Sequence, residues 1–409
     1  MLSWQDALAH ILAHTHTLNT EELPIHEAAG RLLREPIHAP FPMPRFSASA
    51  MDGYALHHAD IAQASEASAI SLPVLQHIAA SQAPTPLKRG ECARIFTGAP
   101  VPEGADVVVI QENATAQNGH ALFRAPATPF QNIRPLGSDC SQGTLLLPEG
   151  SPLYAGEIGL LAGLGVGMVH VTRRPRVAVL ACGSELRRIG EPLGPADIYE
   201  SNRHALAVQI REAGGDPYLL PVVPDQLDAL QAQIREGLHA DVLISSGGAS
   251  VGDHDLLRPA FDALGVATDF WRVAMRPGKP LFFGKHQQCL IFGLPGNPAS
   301  SMVTFEVLVR PALQKMLGSP ALYRPLLSAQ IAEPASNNTK RTHFVRGQLS
   351  FASPQPLFTP LSSQSSADLL SMRQAHALAI LPPSSAPVKA GDSVQVLWIT
   401  HANSLQLLA

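Results

Sequence analysis

Two carboxylates stand two residues apart at Asp253 and Asp255, directly after the run Ser245-Ser246-Gly247-Gly248-Ala249-Ser250-Val251-Gly252. Glycine lets the backbone approach a ligand closely, and successive amides of such a turn can form an anion-binding nest. The N-terminus of a following helix adds partial positive charge. An acidic pair beside a phosphate nest suits Mg²⁺, which takes one or two carboxylates together with ligand phosphates. The plain alternative is an ordinary strand-to-helix turn with Asp255 as the helix cap. Neither GxxxxGK[ST] nor GxGxxG is present here, so P-loop and dinucleotide-binding readings fail.

Two further segments carry similar chemistry. Gly293-Leu294-Pro295-Gly296-Asn297-Pro298-Ala299-Ser300-Ser301 follows the apolar run CLIF, and its amides and hydroxyls could bind an oxyanion. It reads equally as a rigid turn followed by a capped helix. Gly183-Ser184-Glu185 follows RVAVLAC. Arg272, Arg276 and Lys279 lie in FWRVAMRPGKPLFFG, where the Pro-Gly pair sets two cations across a turn. Arg offers a planar fork to oxyanions and Lys a point charge; a solvated basic turn is the alternative. Asp52 and Tyr54 flank Gly53, and Thr97 and Glu112 bracket a Gly/Pro-rich stretch. By themselves both read as turns. His57, His58, His254 and His286 show no metal-ligand spacing and read as structural or exposed.

The elements that position these residues follow from hydrophobic patterning. From Arg174 onward, apolar β-rich runs (RVAVLAC, PYLLPVV, DVLISSGG, CLIFGLPG) alternate with helical stretches. A helix is expected near Ser201, whose hydroxyl could cap it, another opening at Asp225, another over DLLRPAFDALG and a last over about Ala299 to Leu317. Such alternation predicts βαβ units and a mainly parallel sheet. In such sheets ligands bind outside the carboxyl ends of the strands, which is where all three glycine-containing loops fall. Residues Ser3 to Ala28 read as helical. Short β-like runs between about Met51 and Gln142 predict a β-rich domain, and short strands with Pro/Ser turns from about Ser319 predict a small β domain. The expected domains are 1–50 with 143–173, an inserted 51–142, an α/β domain 174–318 and a C-terminal 319–409.

Composition excludes several classes. The 409 residues carry 29 Lys+Arg against 33 Asp+Glu, a net charge of -4, which argues against an electrostatic nucleic-acid binder. Hydrophobic residues make up 45%, enough for several cores, so disorder is not expected. Cys92, Cys140, Cys182 and Cys289 form no C-x-x-C pair, which removes zinc ribbons and points to a reducing compartment. The start MLSWQDALAHILAHT reads as an amphipathic helix rather than a signal peptide. The longest apolar stretch, Ile158 to Val171, is too short for a membrane span and is broken by glycines. A soluble, cytoplasmic protein is expected, with no nucleic-acid or membrane partner.

Taken together, seven segments resemble the molybdopterin molybdenumtransferase family, which includes bacterial MoeA and gephyrin E domains. They are Met51-Asp52-Gly53-Tyr54-Ala55, TGAPVPEGADVVV (97–109), EIGLLAGLGV (157–166), IYESNR (198–203), SSGGASVGDHD (245–255), RPGKP (276–280) and GLPGNPAS (293–300). They stand in the family's order across almost the whole chain. The resemblance implies an elongated, four-part protomer that forms a homodimer, with a molybdopterin-binding α/β domain. It implies that adenylated molybdopterin and molybdate bind, the pyrophosphate linkage is hydrolysed, AMP leaves and molybdenum enters the dithiolene, assisted by Mg²⁺.

The resemblance also implies roles. Asp253, Asp255 and Glu185 would bind metal, with Asp255, Glu185, Asp225 and Asp52 in the catalytic set. Gly247, Gly248, Ser250, Arg276, Lys279, Pro295, Pro298 and Ser300 would bind substrate. Asp52 and Thr97 would reach the partner protomer's cleft, and Arg346 and Ser366 would complete the molybdate pocket. Molybdopterin adenylyltransferase and apo-molybdoenzymes would be further partners. The family's T-G-D-E-L loop reads here Cys182-Gly183-Ser184-Glu185-Leu186, one carboxylate short, and its IYDSN reads Ile198-Tyr199-Glu200-Ser201-Asn202. Two other readings share the α/β fold: an adenylyltransferase, which would consume ATP, and a non-catalytic molybdopterin carrier, which the serine at 184 keeps open.

Overall fold

The computed structural model describes residues 1–247, 256–352, 354–383 and 385–399. They form two compact units. One comprises 1–34 and the chain from 169 onward; the other, 35–168, interrupts it in sequence.

The larger unit contains an α/β sheet. Pro175 precedes an apolar run that becomes β1 (Arg176–Ala181), buried throughout after its first residue. A strand covered on both faces needs such a continuous hydrophobic run. β2 (Asp216–Leu219), β3 (Val242–Ser246), β4 (Ala267–Trp271), β5 (Phe282–His286) and β6 (Cys289–Leu294) complete the sheet in the order β2-β1-β3-β6-β5-β4. The first four pair in parallel; β5 and β4 return antiparallel. The connecting helices are α1 (Asn202–Glu212), α2 (Leu227–Gly237) and α3 (Leu257–Ala263), with α4 (Pro298–Thr304) and α5 (Arg310–Met316) after β6. Side chains alternate across the sheet. Val177, Val179, Val242 and Ile244 pack with Leu206 of α1 and Ile11 of the N-terminal helix. Ala178, Leu180, Leu243 and Ile291 pack with Ile234 of α2 and Phe261 of α3.

Three local expectations change. The N-terminal helix covers only Trp4–Ala13, with Ser3 Oγ accepting the Asp6 amide. Beyond it, the threonine-rich stretch THTLNT disfavours helix, and Thr15 Oγ1 bonds back to the Ile11 carbonyl. The helix expected over 299–317 runs as α4, a π-helical turn Phe305–Val309 and α5. Pro311 lacks an amide and crowds the carbonyl four residues back, which falls inside that turn. The start of α1 is capped by Glu200 rather than the Ser201 hydroxyl: the Glu200 carboxylate accepts the Arg203 amide at 2.7 Å and its Nε at 2.8 Å.

The same unit closes with a β-barrel. Strands Leu326–Ile331, Thr342–Ser350, Leu357–Pro360, Ala377–Leu381 and Ser393–Trp398 pair in a complete ring, which leaves no long free edge. Met275–Arg276, just after β4, pairs in parallel with Thr342–His343. This pairing docks the RPGKP segment on the barrel.

The unit 35–168 holds a six-stranded sheet in which Gly53–Leu56 lies between Val107–Ile110 and Cys92–Ile95. Tyr54, Leu56, Val107 and Phe123 form one core and Ala55, Ile78, Ile95 and Val108 another. Gly53 has no alternative: a Cβ there would lie 2.1 Å from the Val109 carbonyl oxygen.

Candidate active site

The carboxyl ends of β1, β3 and β6 meet at three glycines. The Cys182 amide reaches the Ser246 carbonyl at 3.4 Å, and the Gly247 amide reaches that of Leu294 at 3.3 Å. Gly247 has φ 89°, and a Cβ on it would lie 2.8 Å from the Cys182 carbonyl oxygen. A Cβ on Gly296 would lie 3.4 Å from Gly247 Cα. The glycines therefore draw the three strand ends together, and only glycine fits at 247. A cavity of about 720 Å³ opens above them, lined by Gly183, Glu185, Asp225, Gly247, Pro295 and Pro298 among others.

Side chains brace this floor. Asn202, the first residue of α1, donates its Nδ2 to Ser246 Oγ at 2.8 Å and to the Gly296 carbonyl at 2.7 Å. One side chain thus joins two of the three loops. Sequence reading passed over it; the available signal was an amide side chain at a helix start within IYESNR. The residue at 184 has a partner too. Ser184 donates its amide to Asp225 Oδ2 at 3.1 Å, and the Asp225 amide donates to Ser184 Oγ at 3.2 Å. Glu185 and Asp225 are thereby brought to one cavity. Gly248, Ser250, Asp253 and Asp255 lie outside the described residues.

A second constellation forms where the barrel meets α4. Arg346 is fully buried. Its Nη2 donates to the Ser365 carbonyl at 2.9 Å, while Nε and Nη1 have no hydrogen-bond partner among the described residues. Burial, and secondarily the neighbouring charge of Arg276, pull its pKa below the usual arginine value, against the pull of Asp368. The loop beyond it seats on the start of α4: Asn297 Nδ2 donates to Ser366 Oγ at 2.8 Å, and the Ala299 amide to the Ser366 carbonyl at 3.1 Å. Ala367 lines the cavity, so the loop joins Arg346 to it. Ser300, on α4, is buried.

The RPGKP turn also packs on α4. Gly278, at φ 104°, would place a Cβ 2.5 Å from Thr304 Oγ1. Pro280 lines the cavity. Arg276 and Lys279 are both exposed. Burial first, then Arg276, Arg346 and Arg341, push the His343 imidazole down to about 4. Arg276, Arg341 and Arg346 thus stand close enough to His343 to oppose its protonation.

Asp52 and Thr97 belong to the other unit and contact each other. Asp52 Oδ1 accepts the Thr97 amide at 2.7 Å and its hydroxyl at 2.8 Å. These two bonds, the amide foremost, with a smaller pull from Arg94, hold the exposed carboxyl below its usual range.

Three family models match in chain order: the MoeA N-terminal region (domain I and II) over residues 2–165, a probable molybdopterin binding domain over 178–315 and the MoeA C-terminal region (domain IV) over 328–399. The molybdopterin molybdenumtransferase of a Nostoc species is 36% identical over 93% of this chain and 89% of its own. That of Bacillus subtilis is 35% identical over 94% and 91%. The chain belongs to the molybdopterin molybdenumtransferase family. Its fold agrees with a solved molybdopterin biosynthesis MoeA protein from Pyrococcus horikoshii, 31% identical, at a TM-score of 0.85 over 98% of this chain and all of that one. The fold class therefore stands as expected: an α/β domain, a β-rich N-terminal region and a small C-terminal β domain. Among the described residues no helix is long and apolar enough to cross a membrane.

Proposed function

We propose that this chain inserts molybdenum into adenylated molybdopterin with release of AMP, a late step of molybdenum cofactor assembly. The observation that carries this reading is Arg346: a fully buried guanidinium with two unpartnered nitrogens, linked through Ser365–Ala367 to a glycine-floored cavity. A buried guanidinium with two of its three nitrogens unpartnered is costly, and a small dianion such as molybdate relieves that cost.

In this reading the backbone at Gly183, Gly247 and Gly296 seats the phosphates, with Gly248 and Ser250 extending the nest. Pro295 and Pro298 stiffen the cavity wall. Arg346, Ser366, Ser300, Arg276 and Lys279 hold molybdate. Glu185 and Asp225 are hard oxygen donors on one cavity, which fits Mg²⁺, and Asp253 and Asp255 would add to them. Bound Mg²⁺ would neutralise charge on the phosphoryl oxygens. Asp52 and Thr97, fixed against each other, would complete the cleft of a second copy in a homodimer.

The test is AMP release from adenylated molybdopterin by the purified chain. Release that needs both molybdate and Mg²⁺, and stops on chelation, supports the reading. Consumption of ATP would make the chain an adenylyltransferase, and tight pterin binding without AMP release would make it a carrier. Sedimentation as a monomer at micromolar concentration with activity intact would remove the shared cleft.

A further inference from the structure

The unit 35–168 carries a cluster of metal-ligating groups that this reading does not use. Strand Gly53–Leu56 pairs antiparallel with Val107–Ile110, Leu56 opposite Val107. The next pair outward is therefore His57 and Asp106, with His58 just beyond. The Asp106 amide donates to the Leu56 carbonyl at 3.1 Å, continuing the ladder to that point. Register alone brings two imidazoles and one carboxylate to the same strand ends.

Their geometry is convergent. Asp106 Oδ1 accepts the His58 amide at 2.6 Å, which fixes the carboxylate plane. Its Oδ2 then faces both rings, 2.6 Å from His58 Nδ1 and 3.3 Å from His57 Nδ1. His57 Nδ1 is a buried atom that makes no hydrogen bond among the described residues. All three ligand atoms lie within 4.8 Å of one another. Ligands around a tetrahedral zinc with bonds of about 2.0–2.2 Å stand roughly 3.3–3.5 Å apart. The His57 contact already has that length, and the His58 contact reaches it by opening less than about 1 Å. The nearby Asp60 is taken up by Arg89 Nε at 2.6 Å and the Gly90 amide at 2.8 Å, so it does not compete. Each of the three side chains is between a fifth and a third exposed, which leaves an entry path.

We propose that His57, His58 and Asp106 form a three-ligand site for a divalent transition-metal ion of the zinc type, with a remaining position open to water. Two imidazoles and one carboxylate suit Zn²⁺ or Co²⁺, whereas Mg²⁺ prefers all-oxygen sites. The His58 amide acts as the supporting shell, holding the carboxylate as such donors do in metal sites. The ion would pin the end of strand 53–56 to the start of strand 107–110.

The test uses the untagged full-length chain, stripped with chelator and held in millimolar Mg²⁺, so that oxygen-only sites are already filled. Titration with Zn²⁺ should show one saturable equivalent per chain. Titration with Co²⁺ should produce visible absorption bands of nitrogen–oxygen coordination. His57→Gln should weaken both at least tenfold, and Asp106→Asn, which keeps an acceptor for the His58 amide, should do the same. Far-ultraviolet circular dichroism and melting of each metal-free variant should match the parent. No saturable Zn²⁺ uptake in Mg²⁺ would overturn the site and leave the cluster as two imidazoles beside one carboxylate. So would uptake and Co²⁺ bands unchanged in His57→Gln.

Discussion

Ser184 and Asp225 hold each other by reciprocal bonds, each amide donating to the other's side chain. The serine that stands where the family carries an aspartate is therefore a brace for the loop that bears Asp225. Ser184→Ala removes the acceptor for the Asp225 amide, a bond worth about 1 kcal/mol net. AMP release should fall roughly three- to tenfold, and half-saturating Mg²⁺ should rise, because Asp225 loses its position. A Mg²⁺ titration of Ser184→Ala indistinguishable from the parent would show that the brace has no bearing on the site.

Asn202 ties the Ser246 and Gly296 loops with one amide group. Asn202→Ala loses two hydrogen bonds of about 0.5–1.5 kcal/mol each. The glycine floor should loosen, raising the Kd for adenylated molybdopterin about tenfold while far-ultraviolet circular dichroism stays unchanged. Calorimetric binding is the measurement, and an unaltered Kd would remove Asn202 from the site.

The order of elements in the α/β domain was legible because most of them had a local signature. RVAVLAC and DVLISS are buried on both faces and read as continuous apolar runs, and the glycine loops follow from strand ends. What stayed hidden depends on pairing between distant segments. Arg346 is one arginine among many until the barrel closes over it and buries it. Asn202 matters through residues 44 and 94 positions away. His57 and His58 showed no ligand spacing because their third partner, Asp106, arrives by strand register 48 residues on. The exposure of Lys279 was equally out of reach, since the Pro-Gly turn fixes its backbone and leaves its direction to the packing of α4.

His343 gives the protein an acid limit. Its folded pKa, about 4, lies below the usual 6.5 because burial, then Arg276, Arg346 and Arg341, oppose protonation. The unfolded chain therefore binds the extra proton first as pH falls, and stability declines from about pH 6.5 down to pH 4. The loss from this residue is on the order of 3 kcal/mol at the lower end. His343→Gln removes the titrating group. Urea midpoints of the variant should fall less between pH 6.5 and 4 than those of the parent. Parallel declines in the two proteins would show that His343 does not contribute.

Arg346 and Lys279 should differ in how strongly they govern molybdate. Arg346 is inside the protein with two nitrogens unpartnered among the described residues, whereas Lys279 is exposed on its turn. In a water-excluded setting the loss of a charge-assisted hydrogen bond costs about 1.5–3 kcal/mol, or roughly ten- to a hundredfold. Exposed charges typically contribute below about 1 kcal/mol. Arg346→Lys keeps a positive charge but loses the planar fork that can face two oxygens at once. Half-saturating molybdate should therefore rise at least tenfold in Arg346→Lys, with the Kd of adenylated molybdopterin changed less. Lys279→Ala should raise half-saturating molybdate by a smaller factor. Equal molybdate dependence in Arg346→Lys and the parent would place the oxyanion elsewhere and remove the buried arginine from the reaction.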